Sequence, residues 1–151
     1  NIDVLHYLWS CPNIRQLWYK IEQLAREKNK IDMVITPLFA LLDRKNDLRV
    51  EDKDSEFKIS EDILNFYFLL MAATRKSIYL HWIKEIPPSL ETILSYLYNL
   101  CVQEAICCKT GNQKLRECFK GIWSIYLRKI EANKKRFILN FIDSGENSFL
   151  L

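Results

Sequence analysis

The chain has 151 residues, 49% hydrophobic and 27% charged, with a formal net charge of +3. That length suits one domain able to bury a real core. With only 3 Gly and 4 Pro among long runs of good helix formers, a β-sandwich and a disordered chain are excluded, and the prediction is an all-α fold: a single compact multi-helix domain over residues 1–151.

The chain opens with His6-Tyr7-Leu8-Trp9-Ser10-Cys11-Pro12, a His-x4-Cys pair flanked by aromatics. Structural zinc sites take four Cys or His ligands, and a pair a few residues apart lets one tight turn present both. His6 and Cys11 therefore read as half of a metal site or as plain structure. Pro12 suits the first position of a helix, and Ile14, Leu17, Trp18, Ile21, Leu24 and Ala25 then recur at three- and four-residue spacing, up to the polar stretch Glu27–Lys30. Leu38–Leu42 is a short apolar segment of one or two turns. Residues 43–58 carry six acids and five bases with few large apolar side chains, and are expected to form a charged, mobile loop.

Ser60 is a good N-cap for a second long helix reaching about Glu85, with Glu61 and Asp62 at the positive end of its dipole. Its first half, Ile63 to Met71, is apolar all round, which predicts a long, buried, central helix. Pro87 and Pro88 stop it, and Ser89 can cap a third helix from Leu90 to Cys108. There Leu90, Ile93, Leu94, Leu97, Cys101, Ala105 and Cys108 form one stripe opposite Thr92, Ser95, Asn99 and Gln103, and no residue from Thr92 to Gln103 is charged. After Gly111 a fourth helix puts Leu115, Cys118, Phe119, Ile122, Trp123, Tyr126 and Ile130 on one face. Residues 137–142 are apolar enough to dock back, and 143–151 are expected to fray.

Five cysteines at 11, 101, 107, 108 and 118 form an odd, irregular set, which points to a reducing, intracellular setting. No signal peptide is visible, and Asn1 reads as a processing boundary. The longest apolar stretch, Ile63–Ala73, is interrupted by Asn65 and falls short of the roughly 20 residues a bilayer requires, so no membrane association is expected.

Charge is concentrated late in the chain. Residues 109 to 136 hold nine bases against two acids, a basic end that suits phosphate backbones or is simply a solvated helical face. Lys134, Lys135 and Arg136 are its sharpest part, with Arg128 and Lys129 about two turns earlier and Lys114, Arg116 and Lys120 upstream. Tyr7 and Trp9, outside the helices, are placed to stack on bases or to pack beside the turn. No recognition-helix signature or RNP-type aromatic pair is present, so binding to RNA or DNA would be sequence-nonspecific. His81 and Lys84 read as a polar tip or dipole partners of the second helix rather than an acid–base pair. Glu104, on the apolar side of the third helix, is expected to pair with a buried base such as Arg75. Cys107 and Cys108 read as small hydrophobes. With no Gly-rich phosphate loop, Ser/His/Asp set or clustered carboxylates, no catalytic residue is assigned.

The run His6 to Ile21 (HYLWSCPNIRQLWYKI) resembles the segment that follows the reverse transcriptase in proteins of LINE-type, non-LTR retrotransposons. Pro37–Leu42, the stretch Met71 to Ile78 with Trp82, Pro87, Pro88 and Leu90, and Trp123 are similar to that segment in the same order, so the resemblance covers nearly the whole chain. The family's motif reads Cys-x3-Cys-x7-His-x4-Cys, and His6 and Cys11 match its second half, leaving residues 1–11 as a remnant whose two cysteines would precede Asn1. The resemblance implies a noncatalytic accessory domain of the nucleus and cytoplasm, holding RNA or target DNA beside a parent reverse transcriptase. No cofactor is expected on this chain alone, and zinc only with the upstream cysteines. The alternative is a protein-interaction or structural module, a repurposed retrotransposon fragment whose partner contacts the uncharged face of residues 90–108.

Overall fold

A computed structural model of the chain describes residues 4–29, 33–42, 49–50, 60–84, 88–109 and 111–147. The described residues form an all-α domain, with one π-helical turn, His6–Ser10, ahead of helices α1 (Pro12–Asn29), α2 (Pro37–Leu42), α3 (Glu61–Lys84), α4 (Leu90–Lys109), α5 (Gln113–Leu127) and α6 (Ala132–Asn147). Two short strands, β1 (Met33–Val34) and β2 (Arg49–Val50), pair antiparallel, with Met33 opposite Val50 and Val34 opposite Arg49. The ladder places Arg49 and Val50 in regular structure, inside the stretch expected to be a mobile loop. The remainder of 43–58 lies outside the described residues.

Local chemistry sets the helix starts. Pro12 and Pro37 occupy first helical positions, where a missing N–H is harmless. Thr36 Oγ1 accepts from the Phe39 N–H at 3.3 Å, Ser60 Oγ from Ile63 at 3.3 Å, Ser89 Oγ from Thr92 at 3.2 Å and Asn112 Oδ1 from Leu115 at 3.0 Å, each holding a backbone donor of a first turn. On α1 the predicted stripe is the buried one: Ile14, Leu17, Trp18, Ile21 and Ala25. Glu22 Oε1 accepts from the Ile35 N–H at 2.8 Å and so ties α1 to the segment that leads into α2.

Every residue of α3 from 63 to 75 is buried or half-buried, in keeping with its all-round apolar pattern. The helix with the most neighbours, however, is α4, which packs on α1, α3, α5 and, most extensively, α6. Gly121 lets α5 pass close to the start of α3: a Cβ there would stand 2.7 Å from Asp62 Oδ2.

Three expectations for the C-terminal half need correction. The fourth helix does not continue through Ile130. It ends at Leu127, residues 128–131 turn, and α6 begins at Ala132. Ile138 and Ile142 are fully buried, so α6 docks by a one-sided stripe worth on the order of 1.5–3 kcal/mol per side chain, and the helix extends to Asn147. On α5 the buried positions are Arg116, Phe119, Trp123, Ile125 and Leu127, while Leu115 and Cys118, expected in the core, are exposed. Leu94 of α4 also departs from its predicted stripe, at 37% exposure.

Candidate nucleic-acid interface

The break between α5 and α6 brings the cations of residues 128–136 onto the two sides of one turn. Arg128 follows the last residue of α5; its N–H donates to Ser124 O at 3.2 Å, and its side-chain Nε folds back onto the same carbonyl at 3.3 Å. The Lys129 N–H donates to Tyr126 O at 3.1 Å. Across the turn the Lys135 N–H donates to Glu131 O at 3.0 Å, which sets Lys134, Lys135 and Arg136 at the opening of α6. Arg128, Lys129, Lys134 and Arg136 are exposed and Lys135 is half-buried.

The electrostatics of the two helix ends differ. Arg128 and Lys129 sit at the negative end of the α5 dipole, where cations are favoured. The first turn of α6 contains no acid and three bases stand at its positive end, partly offset by the Glu131 carboxylate at the N-cap, which accepts from Asn133 Nδ2 at 3.4 Å. Lys134 Nζ lies 5.0 Å from the Tyr98 ring centroid, a cation–π contact that leans it toward α4.

Of the remaining predicted contacts, Lys114 is exposed near the start of α5, and Lys120 pairs with Asp143 at 3.8 Å, both side chains about half exposed. Arg116 is a correction. Only 5% exposed, it donates from Nη1 to Gly111 O at 2.8 Å and from Nε to Gln113 Oε1 at 3.3 Å, so its guanidinium closes the α4–α5 turn instead of facing solvent.

Tyr7 and Trp9 are likewise used within the fold. The Tyr7 ring meets Trp82 edge-on at 4.2 Å, and Trp9 lies 5.8 Å from Trp18 with the Arg15 guanidinium 4.4 Å above it. Both rings are half-buried, as packing beside the turn requires. His6 and Cys11 do share one turn, closed by the Cys11 N–H donating to His6 O at 2.8 Å and braced by Trp18 Nε1 donating to Leu8 O at 2.9 Å. Among the described residues, no group of three or more His, Cys, Asp or Glu stands together that could hold a metal ion.

The inner face of α4 departs from expectation in its partners. Glu104 does not pair with Arg75. Its Oε2 accepts from Trp123 Nε1 at 2.6 Å, while Arg75 Nη1 donates to Ala40 O at 2.7 Å and so closes the end of α2. Burial, reinforced by Glu104, pushes the Cys101 thiol up to about 12, and the same two causes raise Cys108, whose Sγ also lies 3.7 Å from Leu115 O. Indole partners for a carboxylate leave no spacing signature along a chain, which is why Trp123 was not legible as one.

Comparison with family models, curated proteins and solved structures finds no match. No helix among the described residues is long and apolar enough to cross a membrane.

Proposed function

We propose that this chain is a noncatalytic nucleic-acid-binding domain, of the kind that follows the reverse transcriptase in LINE-type retrotransposon proteins, and that it holds RNA or DNA by its phosphates at the α5–α6 turn. The observation that carries this reading is the opening of α6. Lys134, Lys135 and Arg136 occupy a helix N-terminus with no first-turn acid, while Arg128 and Lys129 supply charge from the other side. Phosphate oxygens would accept from exposed side chains there while the dipole favours their charge, without any reading of bases. Lys114, exposed near the start of α5, would add a further phosphate contact, while Lys120 is already paired with Asp143. His6 and Cys11 would contribute half of a zinc site in a longer protein that carries the upstream cysteines, the polymerase and any endonuclease.

A second reading is favoured by a separate observation: the uncharged face of α4 is exposed at Ser95, Asn99 and Gln103, with Leu94 and Ile106 37% and 46% exposed beside it. Such a face fits a protein partner.

The test is the salt dependence of binding. With all five cations of the turn on phosphates, their replacement by alanine removes about 4.5 units from the slope of log affinity against log salt on duplex DNA and about 3.5 on single strands. Helicity should be retained, since alanine is the best helix former. A variant that binds as tightly as the parent at low salt, or a parent that binds neither RNA nor DNA, removes the nucleic-acid reading and leaves the α4 face as the functional surface.

A further inference from the structure

The apolar run at the middle of α6 does not bury evenly. Ile138 and Ile142 are fully buried, whereas Phe137 keeps 49% of its surface in solvent, on the flank of the helix that also exposes Asn133 and Asn140. Its ring meets that of Phe141 at 5.1 Å with an interplanar angle of 89°, an edge-to-face contact that braces the ring and covers at most one of its faces. Single exposed apolar residues are ordinary on protein surfaces, so exposure alone assigns nothing. The charge around this one sets it apart. Lys134 stands one turn back on the same flank, with Cβ atoms about 5–6 Å apart at that spacing, and Arg136 adjoins the ring in sequence; both bases are exposed. From Ala132 to Ile142, α6 carries three bases and no acid. Lys134 Nζ lies over the Tyr98 ring at 5.0 Å, and an ammonium with three donors can face one ring and still donate to an anion.

An apolar ring by itself would suit a protein or a lipid as well as a base. Cations on both sides of it, with no acid along that stretch of helix, match the repeating unit of a nucleic-acid strand, in which a flat base alternates with a phosphate. In a duplex each base is covered above and below by its neighbours, so its face reaches an aromatic side chain only when it is unpaired and splayed out. We propose that Phe137 is a base-stacking platform and that the nucleic acid held at the α5–α6 turn is a single strand, one unpaired base lying on Phe137 while flanking phosphates meet Lys134 and Arg136. The inference rests on the phosphate-binding reading of that turn and adds strandedness to it. Every base has a π-face, so stacking leaves the site indifferent to sequence.

Fluorescence anisotropy tests this on the full chain with a labelled oligouridylate, an oligothymidylate and a DNA duplex of equal length, all at one salt concentration. Phe137→Ala should weaken the single strands at least about fivefold, the loss of one stacked base, and leave the duplex unchanged. A loss on the RNA or the DNA strand alone supports the platform and names the strand it holds. Phe137→Trp should retain parent affinity, whereas Phe137→Leu, apolar but without a π-face, should bind as weakly as the alanine variant, with the circular dichroism of all three that of the parent. Single-strand affinity unchanged in Phe137→Ala, a loss equal on strand and duplex, or full affinity in Phe137→Leu overturns the platform and leaves the phosphate contacts standing, since those are read from the salt slope on the duplex. A parent that binds no nucleic acid but binds phosphatidylserine vesicles through Phe137 overturns both readings and makes the patch a membrane contact.

Discussion

The Glu104–Trp123 hydrogen bond offers the sharpest measurement of how the interior is held. Trp123 is fully buried and Glu104 half-buried, and their 2.6 Å contact joins the C-terminal half of α4 to the C-terminal half of α5. A bond to an ionised acceptor contributes on the order of 1.5–3 kcal/mol, and removing one member leaves the other desolvated. Glu104→Ala is therefore expected to cost about 2 kcal/mol, which for a domain of this size lowers the melting temperature by about 4–8 °C. Trp123→Phe keeps an aromatic ring beside Phe66, Phe119 and Tyr126 but loses the donor and some volume, so it should cost about 2–4 kcal/mol. The double variant is the decisive one. Urea unfolding of all four proteins should give a coupling energy of at least about 1.5 kcal/mol, because the second change removes a group whose partner is already gone. A coupling below about 0.3 kcal/mol would refute the bond as a stabilising element.

Thiol reactivity should divide by position: Cys107 and Cys118, both exposed, react first with an aromatic disulfide reagent at neutral pH, while Cys101 and Cys108 react only on unfolding, and a fast-reacting Cys101 would contradict its burial. Since folding raises the thiols of Cys101 and Cys108 above their ordinary value of 9.0, the stability linked to them is fully present below that pH and lost as pH rises above it, for Cys101 up to about 12; denaturant midpoints should fall as pH rises above 9.0, and a Cys101→Ala variant should show a shallower fall. Ser77 Oγ is buried and has no hydrogen-bond partner among the described residues, so Ser77→Ala should stabilise the domain by about 1 kcal/mol, with a lowered denaturation midpoint as the contrary result.

Much of the architecture is legible along the chain because it depends on neighbours in sequence. Apolar spacing defines α1 and the inner stripe of α4, while Thr36, Ser60, Ser89 and Asn112 mark helix starts with side chains that reach backbone donors three residues away. The surplus of bases in residues 109–136 is likewise a property of composition. What required the folded chain is every relation between elements. No Gly or Pro interrupts residues 122–143, so no local signal announces the turn at 128–131; it forms because α6 must reverse to bury Ile138 and Ile142 against α4. That reversal sets Lys134, Lys135 and Arg136 at a helix N-terminus across from Arg128 and Lys129, an electrostatic arrangement absent from a continuous helix. The same holds for Arg116, whose charge counts toward a basic surface in the sequence but whose guanidinium is spent on the Gly111 carbonyl, and for Glu104, whose partner lies 19 residues on. A side chain's spacing predicts which face of its helix it occupies; which atoms meet it there depends on how the helices are packed, and that is decided only in three dimensions.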